Sequence, residues 1–449
     1  MRRKIFWLVC AFVLVTLVFR INVPGVDHVH WGSKNNPLDG LTVTWRGESK
    51  YCMIKWGYKP SYEKGEYKRK GRKEIRSHKH YLYDYTFPAA EPSATIHMSF
   101  RECKKKKPID HWSRDYTFKT SVSVNSESFT FIAGGDSRGN PFKMKDWGRM
   151  AGILDNTHAD FYLYTGDLIY MGGLKKMWEK WYKEGEDFIS RHLIYHSIGN
   201  HETILDPKVK HYLNQFVLPR NGNSTERYYS FEFGNAVFII LDTEFNRGVF
   251  YSKKRKKKLV MQTEWLKKEI KKYRCENGGH TGVENYKEWV IVAFHRPFFT
   301  IDYHMGEMTK KINKYDYLEN WWKNIFDKYG IDVIINGHTH CYMKAVPLLV
   351  VGNGKDGGDL TFNKKGLPNT PAKQVKYGNK PGQGRLQVVT GGYGVPLKKG
   401  DELMHKDEWY VDNYKSEFHY CIFTINGKKL TMEVRNIDNN LIDSVTITH

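Results

Sequence analysis

The chain offers little thiol chemistry. Its 449 residues include six cysteines, and no two of them stand as CxxC. A zinc–thiolate centre built on closely spaced cysteines is therefore excluded. The sequence also lacks the G-x-x-x-x-G-K-[ST] loop that cradles nucleotide phosphates and the G-x-S-x-G elbow of serine hydrolases, so neither chemistry has support. Internal repeats are absent. Acidic residues are outnumbered, 49 against 71 Lys and Arg, for a formal net charge of +22. Such a balance attracts anionic partners. The two basic runs, Lys104–Lys107 and Lys253–Lys258, contain no interleaved aromatics. They read as a solvated lysine-rich surface with scope for contact with an acidic polymer or a membrane surface, and not as a specific nucleic acid reader.

What is present suits a packed protein of two to three domains, with 40% hydrophobic and 15% aromatic residues. Arg2–Lys4 precede the apolar run Ile5–Phe19, which Arg20 ends. This is the layout of a secretory signal, and the run is short for a spanning helix. Export is expected: secreted, periplasmic or anchored by this segment. Past the leader stand Cys52, Cys103, Cys275, Cys341 and Cys421, of which Cys52 and Cys103 are the candidate pair for a bridge. Asn223-Ser224-Thr225 is a glycosylation sequon.

Residues 27–120 read as all-β, with short alternating stretches such as Leu41–Trp45, Cys52–Trp56 and Tyr116–Lys119. His28, His30, His78 and His80 fall there and read as part of a lysine-rich β surface without catalytic weight. Ser121–Ser128 suits a linker. From Phe129 apolar strands alternate with helical patterns, as in an α/β core. The strands are Phe129–Ala133, Phe161–Tyr164, Ala236–Leu241, Trp289–Phe294 and Ile331–Ile335. A helix over Gln262–Tyr273 places Trp265, Leu266 and Ile270 on one face. The tail returns to β, with Leu386–Val389 and a hairpin turn at Asn426-Gly427 between Tyr420–Ile425 and Leu430–Val434. Val351–Gly384, rich in Gly, Asn and Pro, reads as a long loop near the site.

Five polar clusters follow strands in this part. They are GGDSRGN with Asp136, TGDLIYMGG with Asp167 and Tyr170, IYHSIGNHE with Asn200 and His201, HRPFF with His295, and NGHTHCY with His338 and His340. The carboxyl ends of strands in an open α/β sheet face one crevice, so the clusters are expected to converge. Singly each is an ordinary turn or a core histidine. Together they form an oxygen and nitrogen donor set without thiolate, which suits iron, manganese or zinc. Two carboxylates, a phenol, an amide and three imidazoles exceed what one ion needs, and a pair of ions sharing a carboxylate clamps a phosphoryl group during in-line displacement.

The order GD, GDxxY, GNHE, strand-end His and GHxH resembles the calcineurin-like metallophosphoesterases, and within them the purple acid phosphatases. The resemblance covers nearly the whole chain after the leader. It implies an α/β fold over residues 127–449, a four-layer β-sandwich flanked by helices, preceded by a fibronectin-like domain over 26–122 and a signal peptide or anchor over 1–25. It further implies ferric iron held by Asp136, Tyr170 and His340, and a second ion (iron, zinc or manganese) held by Asn200, His295 and His338, with Asp167 bridging. His201 resembles the histidine that contacts phosphate, and His304 of Tyr303–Glu307 (YHMGE) is the candidate leaving-group acid. Two departures stand out. Arg138 replaces the Gly usual in plant-type members, and either binds a phosphate oxygen or pairs with a surface carboxylate. YHMGE also carries one histidine where those members tend to carry two. The implied function is dinuclear, metal-dependent hydrolysis of phosphate esters, a phosphomonoesterase using metal-bound hydroxide. The alternatives are a phosphodiesterase or nucleotidase, and a non-catalytic anion-binding surface scaffold on the same fold.

Overall fold

The computed structural model describes residues 26–104, 107–109, 111–139, 143–223, 225–246, 253–311, 315–350, 360–369, 375–380 and 383–449. The leader, Lys105 and Lys106 of the first basic run, Ser224 of the sequon and much of residues 351–384 lie outside them.

Two strand-rich layers come first. One sheet runs Asp27–Ser33, Leu41–Gly47, Tyr81–Thr86, Arg72–Lys73; the other is built on Gly65–Lys70, Tyr51–Gly57 and Thr95–Lys104, with Tyr116–Lys119 against the last. Their shared interior is aromatic: Trp31 stacks on Phe118 at 3.8 Å and Trp45 lies 4.6 Å from Phe100. The expected Cys52–Cys103 bridge does not form. Cys52 pairs in register with Glu102 and Cys103 with Tyr51, so the two thiols leave opposite faces of the sheet. Both are free.

The remainder is a sandwich of two mixed sheets. The first has six strands, in the order Ile194–His196, Phe161–Tyr164, Ser128–Gly134, His419–Asn426, Lys429–Asn436, Leu441–Thr448. The second has seven: Tyr229–Phe233, Ala236–Ile240, Trp289–Ala293, Val333–Asn336, Leu386–Thr390, Tyr342–Ala345, Val411–Lys415. Strands such as AVFII and WVIVA show no polar alternation because both faces are covered. Phe238 and Ile240 face the inter-sheet core, where Phe238 lies 5.0 Å from Phe131 and 5.1 Å from Phe161. Val237 and Ile239 face outward, into a second core shared with Leu259, Leu266 and Ile270 of the helix Lys253–Ile270 and Trp321 and Trp322 of the helix Leu318–Asp327. Helices Lys145–Asp155 and Lys175–Glu184 cover the other sheet through Trp147, Met150, Trp178 and Trp181. This is the four-layer arrangement expected.

The N-terminal sheets are locked onto this sandwich. Trp31 Nε1 donates to Ser190 O at 2.8 Å, and His30 Nε2 lies 2.9 Å from Gln215 O. Here the surface reading of the histidines is corrected. His28 and His30 are buried, and His28 stacks on Tyr182 at 4.1 Å. The alternating sequence gave no hint of a covering helix, and that helix turns a strand face into an interface.

Candidate active site

All five polar clusters lie where strands of the sandwich end. Asp136 follows Ser128–Gly134, Asp167 follows Phe161–Tyr164 and Asn200 follows Ile194–His196, all from the six-stranded sheet. His295 follows Trp289–Ala293 and His338 follows Val333–Asn336, from the other sheet. The convergence expected of one open sheet is thus achieved by two facing ones. Asp136, Asp167 and His338 have positive φ, at 61°, 54° and 72°. Non-glycine residues adopt this conformation at a cost, and it clusters where side chains must be aimed. Gly337 makes room: a Cβ there would stand 2.5 Å from Asp136 Oδ2, the oxygen that accepts the His338 N–H at 2.9 Å.

His295 sits at the centre of one donor set. Its Nδ1–H points at Thr165 O, 2.8 Å away, which leaves a lone pair on Nε2. That nitrogen lies 3.0 Å from Asn200 Oδ1, 3.3 Å from Asp167 Oδ1 and 3.1 Å from His338 Nδ1. His338 in turn has Nε2 2.9 Å from Arg296 Nη1 and 3.3 Å from Glu307 Oε2, and turns Nδ1 toward the same place. Oxygen and nitrogen lone pairs turned on one another in a buried site fit a cation. Burial, followed by the charge of Arg296, depresses the pKa of His338, keeping it neutral as a metal ligand must be.

A second set lies alongside. Asp136 Oδ1 is buried without a hydrogen-bond partner and points at His340 Nε2, 3.8 Å away. Burial, then Arg138, lowers the His340 pKa to about 3. Tyr170 is half-buried, its ring 5.2 Å from that of His201. Arg138 has entered this set: Nη2 is 3.2 Å from His340 Nε2, Nε is 3.4 Å from Asp167 Oδ2, and the guanidinium carbon is 5.4 Å from the Tyr170 ring. Of the two readings left open for Arg138, the surface carboxylate is overturned, because Asp167 is buried.

The remaining sequence candidates join the same cleft. His201 directs Nδ1 to Tyr170 O at 2.7 Å and leaves Nε2 3.8 Å from Asp167 Oδ2. The His304 ring lies 3.9 Å from that of His338, tilted by 45°, and holds Nδ1 3.1 Å from Glu307 Oε1. Residues 360–369 of the loop meet the segment that follows Glu307, where Thr309 Oγ1 donates to Gly366 O at 2.7 Å.

Sequence reasoning passed over Glu202, Arg296, Glu244 and Glu307. Glu202 collects the N–H groups of Asp167, Leu168 and Gly199 at 2.7–2.9 Å. Arg296 bridges Glu244 at 2.8 Å, His338 Nε2 at 2.9 Å, and Glu307. The signal was present in GNHE and HRP, where Glu202 and Arg296 stand beside the histidine, and in YHMGE, where Glu307 follows His304 by three residues; Glu244 lies in none of the motifs.

Residues 129–342 match the family model described as calcineurin-like phosphoesterase. The chain carries a calcineurin-like phosphoesterase domain. Among curated relatives, Purple acid phosphatase 22 of Arabidopsis thaliana is 22% identical over 83% of this chain and 79% of its own length. The Fe(3+)-Zn(2+) purple acid phosphatase 12 of the same plant is 25% identical over 41% of this chain, which spans only 36% of that relative. The structure of a purple acid phosphatase from yellow lupin seeds superposes over 95% of this chain and 75% of its own, with a TM-score of 0.67 at 17% identity. The phosphoesterase domain and its β-rich N-terminal extension therefore follow a purple acid phosphatase fold.

Proposed function

We propose that the chain hydrolyses phosphate esters with metal assistance, as a phosphomonoesterase. The observation that carries the reading is the meeting of Asp167, Asn200, His295 and His338 around one point, with Arg138 and His201 beside it. These four side chains would hold an ion; Asp136, Tyr170 and His340, with Asp167 shared, would hold a neighbour were Arg138 withdrawn. Iron is the candidate at that neighbouring place, and iron, zinc or manganese at the first. Bound metal supplies Lewis acidity toward a phosphoryl oxygen and lowers the pKa of water.

The chain's own residues supply the rest. Arg138 and His201 line the pocket in which a phosphate would lie, and a guanidinium matches phosphate oxygens with paired N–H donors. His201, its Nδ1–H fixed on Tyr170 O, offers Nε2 to the substrate. His304 is set by Glu307 to pass a proton to a departing alkoxide. The basic surface favours approach of an anionic ester. We also propose export, on the leader's basic and apolar pattern; among the described residues no helix is long and apolar enough to cross a membrane.

Purified protein, reconstituted with iron, zinc or manganese, should release phosphate from aryl and alkyl monoesters faster than from bis-aryl diesters. A preference for diesters or nucleotides would move it to the phosphodiesterase or nucleotidase reading. Inactivity on all of them in metal-loaded protein would leave the anion-binding scaffold.

A further inference from the structure

We infer that the Arg138 guanidinium takes the place of one of the two ions, so that this chain binds a single ion, at Asp167, Asn200, His295 and His338. The inference rests on the metal-assisted reading above and narrows it. Arg138 engages three of the four side chains that a neighbouring ion would need: His340 Nε2 at 3.2 Å, Asp167 Oδ2 at 3.4 Å, and the Tyr170 ring at 5.4 Å. The fourth, Asp136, keeps Oδ1 turned toward His340 Nε2.

The arginine is aimed there by its backbone. Its N–H donates to Asp167 O at 3.2 Å. The preceding Ser137 is fully buried, donating from Oγ to Leu168 O at 2.9 Å and accepting Trp181 Nε1 at 3.0 Å. With the loop so held, the side chain is only 12% exposed and lies inside the cleft. An N–H directed at His340 Nε2 uses the lone pair that an ion would take. A fixed positive charge in this buried setting also repels a second cation. Arg138 thus carries one positive charge where an ion would carry two or three, and keeps N–H donors for a phosphate oxygen.

The test is metal stoichiometry. Apo protein is loaded with excess iron, zinc or manganese, desalted and analysed by elemental mass spectrometry. Wild type is expected to retain about one ion per chain, and Arg138→Gly about two, the added ion bound about 10- to 100-fold more tightly than in wild type. Iron-loaded Arg138→Gly should gain a visible phenolate-to-iron band that Arg138→Gly/Tyr170→Phe lacks, while wild type stays colourless. Should the glycine variant not fold, Arg138→Gln takes its place with the same expectations. Two ions in wild type, a coloured iron-loaded wild type, or a single ion in the variants overturns the inference and leaves the proposed function standing. No ion in wild type or variants overturns the metal-assisted reading itself.

Discussion

Glu202 Oε2 accepts the main-chain N–H of Asp167 at 2.9 Å, and the same oxygen takes the N–H of Gly199 at 2.7 Å. One buried carboxylate thereby ties the GDLIY loop to the GNHE loop and fixes the backbone from which Asp167 and Asn200 project. Glu202→Ala should cost roughly 3 kcal/mol, because three buried N–H groups lose their acceptor. It should also weaken metal binding about 10- to 100-fold through misplaced ligands. Chemical denaturation and a metal titration check the two effects. Unchanged affinity in the folded variant would show that these loops hold their geometry without it.

Asp167 faces both donor sets, with Oδ1 toward His295 and Oδ2 toward Arg138. Burial works against its charge, but the adjacent His295, His201 and Arg138 prevail and hold the carboxyl well below the ordinary range. Asp167→Ala should abolish metal retention and with it turnover, while the sandwich stays folded. Elemental analysis of the variant decides; full metal content would remove Asp167 from the ligand set.

The join between the N-terminal sheets and the sandwich centres on Arg46, which lies 3.5 Å from Glu74 and 3.4 Å from Glu179, with a shorter pair to Asp27 at 2.6 Å. Glu74 is almost fully buried and also meets Lys175 at 3.4 Å. Removing one partner of a buried pair strands the other charge, so Arg46→Ala should destabilise by roughly 3 kcal/mol or more. Metal content should not change. A fall in stoichiometry would mean that the N-terminal sheets shape the site directly.

His449 stacks on Trp289 at 4.0 Å, with Nδ1 2.9 Å from Glu288 and Nε2 3.1 Å from Asp332. Burial disfavours its charge, but Asp332 and then Glu288 outweigh burial, and its pKa is raised. A raised histidine pKa contributes stability that is fully present below the unfolded value, about 6.5, and is lost as pH rises through the folded value. His449→Gln should therefore cost roughly 1–3 kcal/mol at pH 5.5 and less at pH 9. Thermal unfolding at both pH values measures the difference. An equal loss at both would remove the ion pair as its cause.

The donor types, their order and the turns that carry them were legible in the sequence, because each motif is a local object: a strand end, a glycine, a ligand. The uniformly apolar runs Ala236–Ile240 and Trp289–Ala293 likewise announced strands covered on both sides. Strands such as Leu441–Thr448, mostly exposed at a sheet edge, left no such pattern and were missed. Tertiary structure alone decided everything that depends on register and packing across the chain. Register turned Cys52 away from Cys103. Docking buried His28 and His30 against Tyr182 and Gln215. Closure of two sheets, rather than one, brought His295 to Asp167 and Arg138 to His340. A long side chain carries no mark in sequence of where its charge will rest; the neighbours that fix it lie 29 and 202 residues away, and only the packed core sets those distances.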